Sequence, residues 1–418
     1  MLSPAHRGAF AFLRSSRTVQ RSWAPNTDPL YRPLPARPPH AGGEIAVQFL
    51  GAPAEFAALA PEWNRLHEQA AAASVFNSWI WQYHWWQVYG GAQPLRILVA
   101  LERGAMVGIL PVYIHTQRAL GARVRLLRFV GTGGDTGPDD LGPVLAPGRE
   151  ASAAAALANA LLRVAQTDVY LFSDIDPDSL FAEALGAAAG AAGLAVLTGP
   201  AQRISFIRLP ATWDAFLKAL PSKRRSGIRC ARAKLLATHP DARFFVWDDP
   251  ARLDHAVDRL AALHRKRWQA AGASHSFASA QYMDFHRGLM HSLMRRGWLR
   301  LYCLEIGGEL RAITYCYRLR NRVFCMQAGF DPEFAGVAPG AVLLGYAIEH
   351  AIAEGNEVFD FLRGEHMYKG QLANGTREAR YAAAFRPNAR ALAYRLRRVH
   401  LPAWKARLYG RPVPAIEW

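Results

Sequence analysis

Between positions 359 and 371 the chain reads FDFLRGEHMYKGQ. Asp360 stands among Phe359, Phe361 and Leu362, residues that favour a buried strand, and Arg363, Glu365, His366, Tyr368 and Lys369 follow within nine positions of it. A carboxylate inside a strand, followed at its carboxyl end by a second carboxylate, an imidazole, a phenol and two cations, suits a reaction that moves protons. Ligands of open sheets gather beyond the carboxyl ends of strands, which is where Arg363 to Lys369 would fall. In the competing reading Asp360 is a buried acid paired with a structural Arg or Lys, and the others are solvated loop residues.

The chain has 418 residues, too many for one ordinary core, so two domains are expected. With 51% hydrophobic and 20% charged residues it has the composition of a folded soluble protein. No apolar run approaches the roughly 18 residues of a membrane span. Cys230, Cys303, Cys316 and Cys325 form no CxxC pair and have no His at zinc-ligand spacing, so reduced thiols, a cytoplasmic setting and no structural metal are expected. The net charge is +17, of which residues 1–40 carry +5 and residues 377–418 carry +8. A nearly balanced body argues against a dedicated DNA binder, although the basic tails could touch RNA or a lipid surface peripherally.

Residues 1–43 lack helical or strand periodicity and read as a disordered basic tail. The apolar run at 9–13 is too short for a signal peptide. From residue 44 the periodicity predicts a strand, then a helix with Phe56, Leu59, Trp63 and Leu66 on one face. A hairpin over 94–117 turning at 102–104, a third strand, a helix at 149–166, a strand at 168–175, an Ala-rich helix and the strand LAVLTG follow. The second half repeats this order. A strand at 204–210, a helix over 212–237 and an extra strand RFFVW precede a helix at 251–270. Three strands then turn at Gly307-Gly308 and Arg320-Asn321, and a helix at 339–355 leads into EVFDFL. Two domains, 44–203 and 204–400, with a basic C-terminal tail at 401–418, are the expected organisation.

That repeated order resembles the GNAT acetyltransferase fold used twice, an α/β architecture of mixed sheets (α+β). The segments FIRLP…FLKALPSKRRSGIRCARAKL, AGFD, APGAVLL and FDFLRGEHMYK resemble the CelD-like acetyltransferases of cellulose or exopolysaccharide synthesis. These are in turn similar to the Fem-type aminoacyl-tRNA-dependent transferases. The likeness runs over about residues 45–400 and is clearest at 204–370. It implies transfer of an acyl group to an amine, with acetyl-CoA or another acyl-CoA as co-substrate, or aminoacyl-tRNA in the Fem-type alternative. The acceptor it implies is an amino-sugar, a polysaccharide precursor or a similar small amine.

Acyl transfer requires a base for the amine, donors for the carbonyl and an acid for the leaving group. Glu365 or Asp360 could be the base, with His366 assisting, Tyr368 the acid, and Lys369 a cation for developing charge or phosphate. The loop before the helix at 339–355 offers backbone N–H groups and a positive dipole end at Val337, Ala338, Gly340 and Ala341, suited to a pyrophosphate. Coenzyme A binds at the matching place in GNAT enzymes, whose glycine pattern is reduced here to Gly336 and Gly340. The stretch 218–234 has seven basic residues and no acid. Its Arg224, Arg225 and Arg229, with Arg363, could grip an anionic acceptor or carrier, against the plainer reading of a solvated helix face.

The aromatic run FNSWIWQYHWWQVYGG could stack on sugar, but Ile80, Tyr83 and Trp86 at helical spacing favour core packing. GTGGDTGPDDLGP lacks the third glycine of a GxGxxG loop, and its acids would repel phosphate while attracting an amine. No serine or cysteine stands in a nucleophile motif, so direct attack on a thioester is expected. The remaining alternative is a non-catalytic module that binds nucleotide-sugar or nucleic acid.

Overall fold

The computed structural model describes residues 44–409 apart from 135, 177, 273–275 and 365–366 and the side chains of Met367 and Tyr368. The proposed tail at 1–43, Glu365 and His366 therefore lie outside the described residues. The first half supplies strands β1 (Ile45–Leu50), β2 (Leu95–Glu102), β3 (Ala105–Ala119), β4 (Ala122–Phe129), β5 (Val144–Leu145), β6 (Val169–Ile175) and β7 (Ala195–Arg208). The second supplies β8 (Arg243–Val246), β9 (Leu299–Ile306), β10 (Glu309–Leu319), β11 (Arg322–Phe330), β12 (Val358–Asp360) and β13 (Gly375–Phe385). All join one sheet in the order β1-β2-β3-β4-β6-β13-β7-β12-β11-β10-β9-β8, with β5 attached to β3.

Each half is a strand, two or more helices, an antiparallel meander of three strands, a helix and a parallel strand, as the repeated sequence order predicts. The hairpin turns follow from residues that accept positive φ. Arg103 and Gly104 have φ of 51° and 81°, and Gly307 and Gly308 have 63° and 72°. Such mirror-image turns match the twist of the strands they join.

Three local expectations are corrected. The helix expected over 212–237 is two, Trp213–Ala219 and Ser222–Thr238. Pro221 cannot donate into a helical ladder, and Leu220 before it is extended at ψ 150°. The strands expected at LAVLTG and 204–210 are one 14-residue strand, β7. Pro200 lies opposite Arg380 where the register slips, a bulge at which a missing N–H disturbs little. The strand taken as extra, β8, fills the edge position beside β9 that β1 fills beside β2.

β13, the last strand of the chain, pairs with β6 of the first half, while β7, which ends the first half, pairs with β12 of the second. The main apolar core is shared in the same way. Trp81 meets Phe285 edge-on at 5.0 Å and Phe76 meets Phe324 at 5.8 Å, so the aromatic run of the first half packs between the halves. Helix Pro339–Ala353 and helix Ser222–Thr238 cover a second core on the other face of the second half.

Helix Leu253–Ala270 lies so close to β11 that a Cβ at Gly329 would stand 2.5 Å from the backbone nitrogen of His264. Backbone cannot yield as a flexible side chain can. Gly329→Ala is expected to destabilise the fold by about 1–3 kcal/mol, read as a lower urea midpoint at unchanged slope.

Candidate active site

Parallel strands β11 and β12 pair only at Arg322–Val358, Val323–Phe359 and Phe324–Asp360. Beyond Phe324, β11 continues to Phe330 bonded to β10 alone, so its other edge turns peptide groups toward a gap. Among the described residues no backbone hydrogen bond bridges that gap, although the Arg267 guanidinium donates to the Ala328 carbonyl at 3.0 Å. The first half repeats the splay, with β4 and β6 paired only at Leu126–Val169 and Leu127–Tyr170. There the opening is closed by the chain itself, because loop 131–143 follows β4 and Leu141 donates its N–H to the Asp174 carbonyl at 2.9 Å.

Register brings the ends of the two parallel strands face to face. Ile175 of β6 lies opposite Arg380, while Asp360 of β12 lies opposite Phe206, which pairs in turn with Gly375. Because β6 and β12 run in opposite directions, their carboxyl ends converge on the first turns of β13. A largely buried ionic cluster fills this junction. Asp360 Oδ1 accepts the N–H of Leu362 at 2.8 Å, and its Oδ2 accepts from Arg377 at 3.2 Å. Arg377 also holds both oxygens of Asp140, with Nη2 to Oδ2 at 2.9 Å. Arg363 donates to Asp139 at 3.2 Å and to the Pro138 carbonyl, and lies 2.8 Å from Asp174. Four acids and two arginines thus tie the acidic loop of the first half to the strand end of the second.

Lys369 completes the junction. Its Nζ donates to the carbonyls of Phe361 and Arg363 at 2.8 Å and of Leu362 at 3.4 Å. An ammonium has three N–H donors, and these three carbonyls engage them. Burial lowers the Lys369 pKa from its ordinary value. The carbonyls need this partner because Leu362 turns the chain in the left-handed region at φ 55°, leaving three successive peptides outside any ladder. Lys369 therefore shapes the loop that carries Arg363.

Asp139 stands apart in its electrostatics. Its carboxylate is fully buried, and Oδ2 has no hydrogen-bond partner among the described residues. Burial pushes its pKa up to about 7, against the opposing pull of Arg363 and Arg377. Asp176 is raised to about 6, first by burial and then by the charge of Asp140.

The helix start at Val337 to Ala341 stands at the far end of the gap. Ala338 is left-handed at φ 50°, Pro339 opens the helix, and Gly340 sits against the ring of Phe330, the last residue of β11. A Cβ at 340 would approach that ring to 2.9 Å. Ala341 and Val342 both donate back to the Ala338 carbonyl at 3.1 Å, and Lys234 Nζ binds the Gly336 carbonyl at 2.8 Å. Where a Cβ would stand at Gly336, nothing among the described residues lies within 4 Å. The turn is open at Gly336 and flanked by the Lys234 ammonium, but the expected row of free donors is reduced, because the Ala338 N–H goes to the Ala335 carbonyl at 3.1 Å and that of Ala341 to the Ala338 carbonyl. Among the described residues no three His, Cys, Asp or Glu side chains gather to hold a metal.

Of the basic helix, Arg224 reaches Gln371 of helix Met367–Leu372 and so joins the segment that follows β12. Arg225 and Arg229 do not. Arg225 folds back on the Lys218 carbonyl at 3.4 Å, and Arg229 faces Asp214 at 3.8 Å on an exposed surface. There it edges an open groove of about 330 Å³ with Trp213, Ile228 and Leu236. Asp174 and Arg377 carry no weight in the sequence reading, although Asp174 occupies in β6 a place like that of Asp360 in β12.

Residues 222–370 match the model of the acetyltransferase (GNAT) domain. This span contains the splayed strands, the helix start and the segment after β12. The crystal structure of FemX is similar to this chain in fold at a TM-score of 0.55 and 10% identity, covering 77% of this chain and 95% of that one. L-PGS from Bacillus licheniformis is similar at 0.46 and 11%, covering 85% and 97%. A tandem GNAT protein from the clavulanic acid biosynthesis pathway is similar at 0.42 and 16%, covering 82% and 100%. No curated protein matches the sequence. The match over residues 222–370 supports an acyltransferase, carried on a mixed α/β fold whose order of elements occurs twice.

Two outcomes test the junction. Arg377→Met leaves Asp140 and Asp360 without their shared partner, and is expected to cost about 3–5 kcal/mol in urea unfolding. Asp139 has a folded pKa of about 7, above its ordinary value, so the native state keeps a proton that the unfolded chain has released. Its stabilising contribution is complete in acid and is lost as pH rises through about 7. The melting temperature of Asp139→Asn should therefore change less than that of the wild type between about pH 4 and about pH 8.

Proposed function

We propose that the chain is a cytoplasmic N-acyltransferase that moves an acyl group, acetyl in the simplest case, from acyl-CoA to the amine of an amino-sugar, polysaccharide precursor or similar small acceptor. The observation that carries this reading is the edge of β11 beyond Phe324, to which no strand pairs, beside the helix start at Pro339 and inside the span that matches the acetyltransferase domain. In this reading residues 204–400 form the catalytic unit, and the pyrophosphate lies against Val337, Ala338, Gly340 and Ala341. The thioester carbonyl takes hydrogen bonds from N–H groups of the free strand edge, which stabilise the oxyanion. Buried free thiols at Cys303, Cys316 and Cys325 support the cytoplasmic setting.

The amine nitrogen attacks the carbonyl carbon, the C–N bond forms, and the C–S bond breaks after collapse of the tetrahedral intermediate. The proton from the attacking nitrogen passes to a base, and the departing thiolate takes one from an acid. Asp360 already serves Arg377 and the Leu362 N–H, so the base is assigned to Glu365 with His366 assisting, and the acid to Tyr368. Lys369 and Arg363 act as positioning residues, because their donors hold the loop and the first-half carboxylates. Arg224 is the cation best placed to meet an anionic acceptor, given its contact with Gln371.

A second reading takes the acyl group from aminoacyl-tRNA, favoured by the half-buried Arg225 and the exposed Arg229 on an acid-free helix and by the fold shared with FemX. A thiol-release assay with acetyl-CoA and a panel of amino-sugars separates the two. The first reading predicts turnover insensitive to RNase, falling at least about 100-fold in Glu365→Gln and Tyr368→Phe. Arg224→Ala should mainly raise the acceptor KM. Turnover that needs tRNA and vanishes with RNase supports the second reading. Turnover unchanged in Glu365→Gln and in Tyr368→Phe rejects the site.

A further inference from the structure

The C-terminal helical segment presents an apolar stripe that no other described residue covers. It runs without a break through helix Ala389–Arg395, a π-turn at Leu396–His400 and helix Leu401–Leu408. Leu392 is 56% exposed, Trp404 59% and Leu408 59%, and Leu396 and Leu401 are also exposed. The wider π-turn takes up one residue more than an α-turn, which brings Trp404 and Leu408 into line with Leu392 and Leu396. On the opposite side Ala391, Tyr394 and Ala406 are buried, with Ala391 and Tyr394 in a small core against β4, β6 and β13. The stripe therefore faces away from the body on a helix fixed in place.

Charge decides what would cover it. Residues 389–409 contain six Arg or Lys and no acid. Beside the helix, Arg397 binds the Arg118 carbonyl at the β3–β4 hairpin. At the tip of that hairpin Leu120 is 55% exposed between the exposed Arg118 and Arg123. Two separate elements thus show the same combination of protruding Leu or Trp flanked by cations. A polynucleotide would satisfy the cations but leave the leucines in water. An anionic lipid surface satisfies both, taking the apolar side chains at the headgroup boundary and the cations at its phosphates.

We infer that helix 389–408 and the tip of the β3–β4 hairpin form a docking surface for an anionic membrane. No helix among the described residues is long and apolar enough to cross a membrane, so the contact is peripheral. The inference is independent of the acyl donor and acceptor.

Co-sedimentation of the full chain with vesicles tests it. The chain should pellet with phosphatidylcholine vesicles containing about 30% phosphatidylglycerol, and at least about tenfold less with phosphatidylcholine alone. Trp404→Asp with Leu408→Asp should reduce binding at least about tenfold at unchanged melting temperature, and Arg397→Gln with Arg398→Gln should shift binding to lower salt. Equal binding to both vesicle types, or none to either, overturns the inference. So does undiminished binding by the Trp404 and Leu408 variant. Binding of tRNA but not vesicles that this variant abolishes, or a dimer that it splits into monomers, overturns it in favour of another partner.

Discussion

The side-by-side placement of β7 and β13 at the centre of the sheet is the constraint on which the rest depends. Each of these strands completes the other half, since β13 lies against β6 and β7 against β12. Neither half can close its sheet from its own stretch of chain. The two parallel strands are thereby held in opposite directions, and their carboxyl ends meet in one place. Everything charged at the junction follows from that meeting, because Asp174 and Asp360 sit at those ends and Arg377 lies on the strand between them.

The two halves have the same outline but different uses for their splayed strands. In the first half the gap beyond Leu127 and Tyr170 is occupied by loop 131–143, and Arg363 from the other half adds its guanidinium against Asp139 and Asp174. Buried ion pairs of this kind contribute little net stability, yet losing one partner is costly, so they fix a relative position more than they strengthen the fold. In the second half no strand fills the gap beyond Phe324 along the β11 edge, where the Arg267 guanidinium holds the Ala328 carbonyl. The two copies of the element order are thus asymmetric, the first with its gap closed by its own loop and the second with no backbone hydrogen bond across its gap among the described residues.

Much of this was legible in the sequence, where apolar periodicity and turn chemistry act locally. The hairpins at Arg103-Gly104 and Gly307-Gly308, the helix opening at Pro339 and the repeated order of elements all depend on neighbours a few positions apart. The central strand β13 was not legible. Its GTREARYAAAF mixes charge with alanine because both its neighbours are strands and one of its arginines is buried in the ion cluster, a partnership between residues far apart in sequence. The strand character of 359–361 and the placement of Asp360 beside charged partners could be anticipated, whereas its particular partner Arg377 could not. Likewise the acids of loop 131–143 were visible as a cluster, but their pairing with Arg363 and Arg377 depends on the strand exchange.

Hydrogen exchange of the full chain with and without acetyl-CoA tests the central claim most directly. The account predicts protection on binding confined to residues 325–330 of β11 and to 336–342, with no change in the first-half loop at 131–143. Protection of that loop without protection of β11, or no protection anywhere at saturating acetyl-CoA, would contradict it.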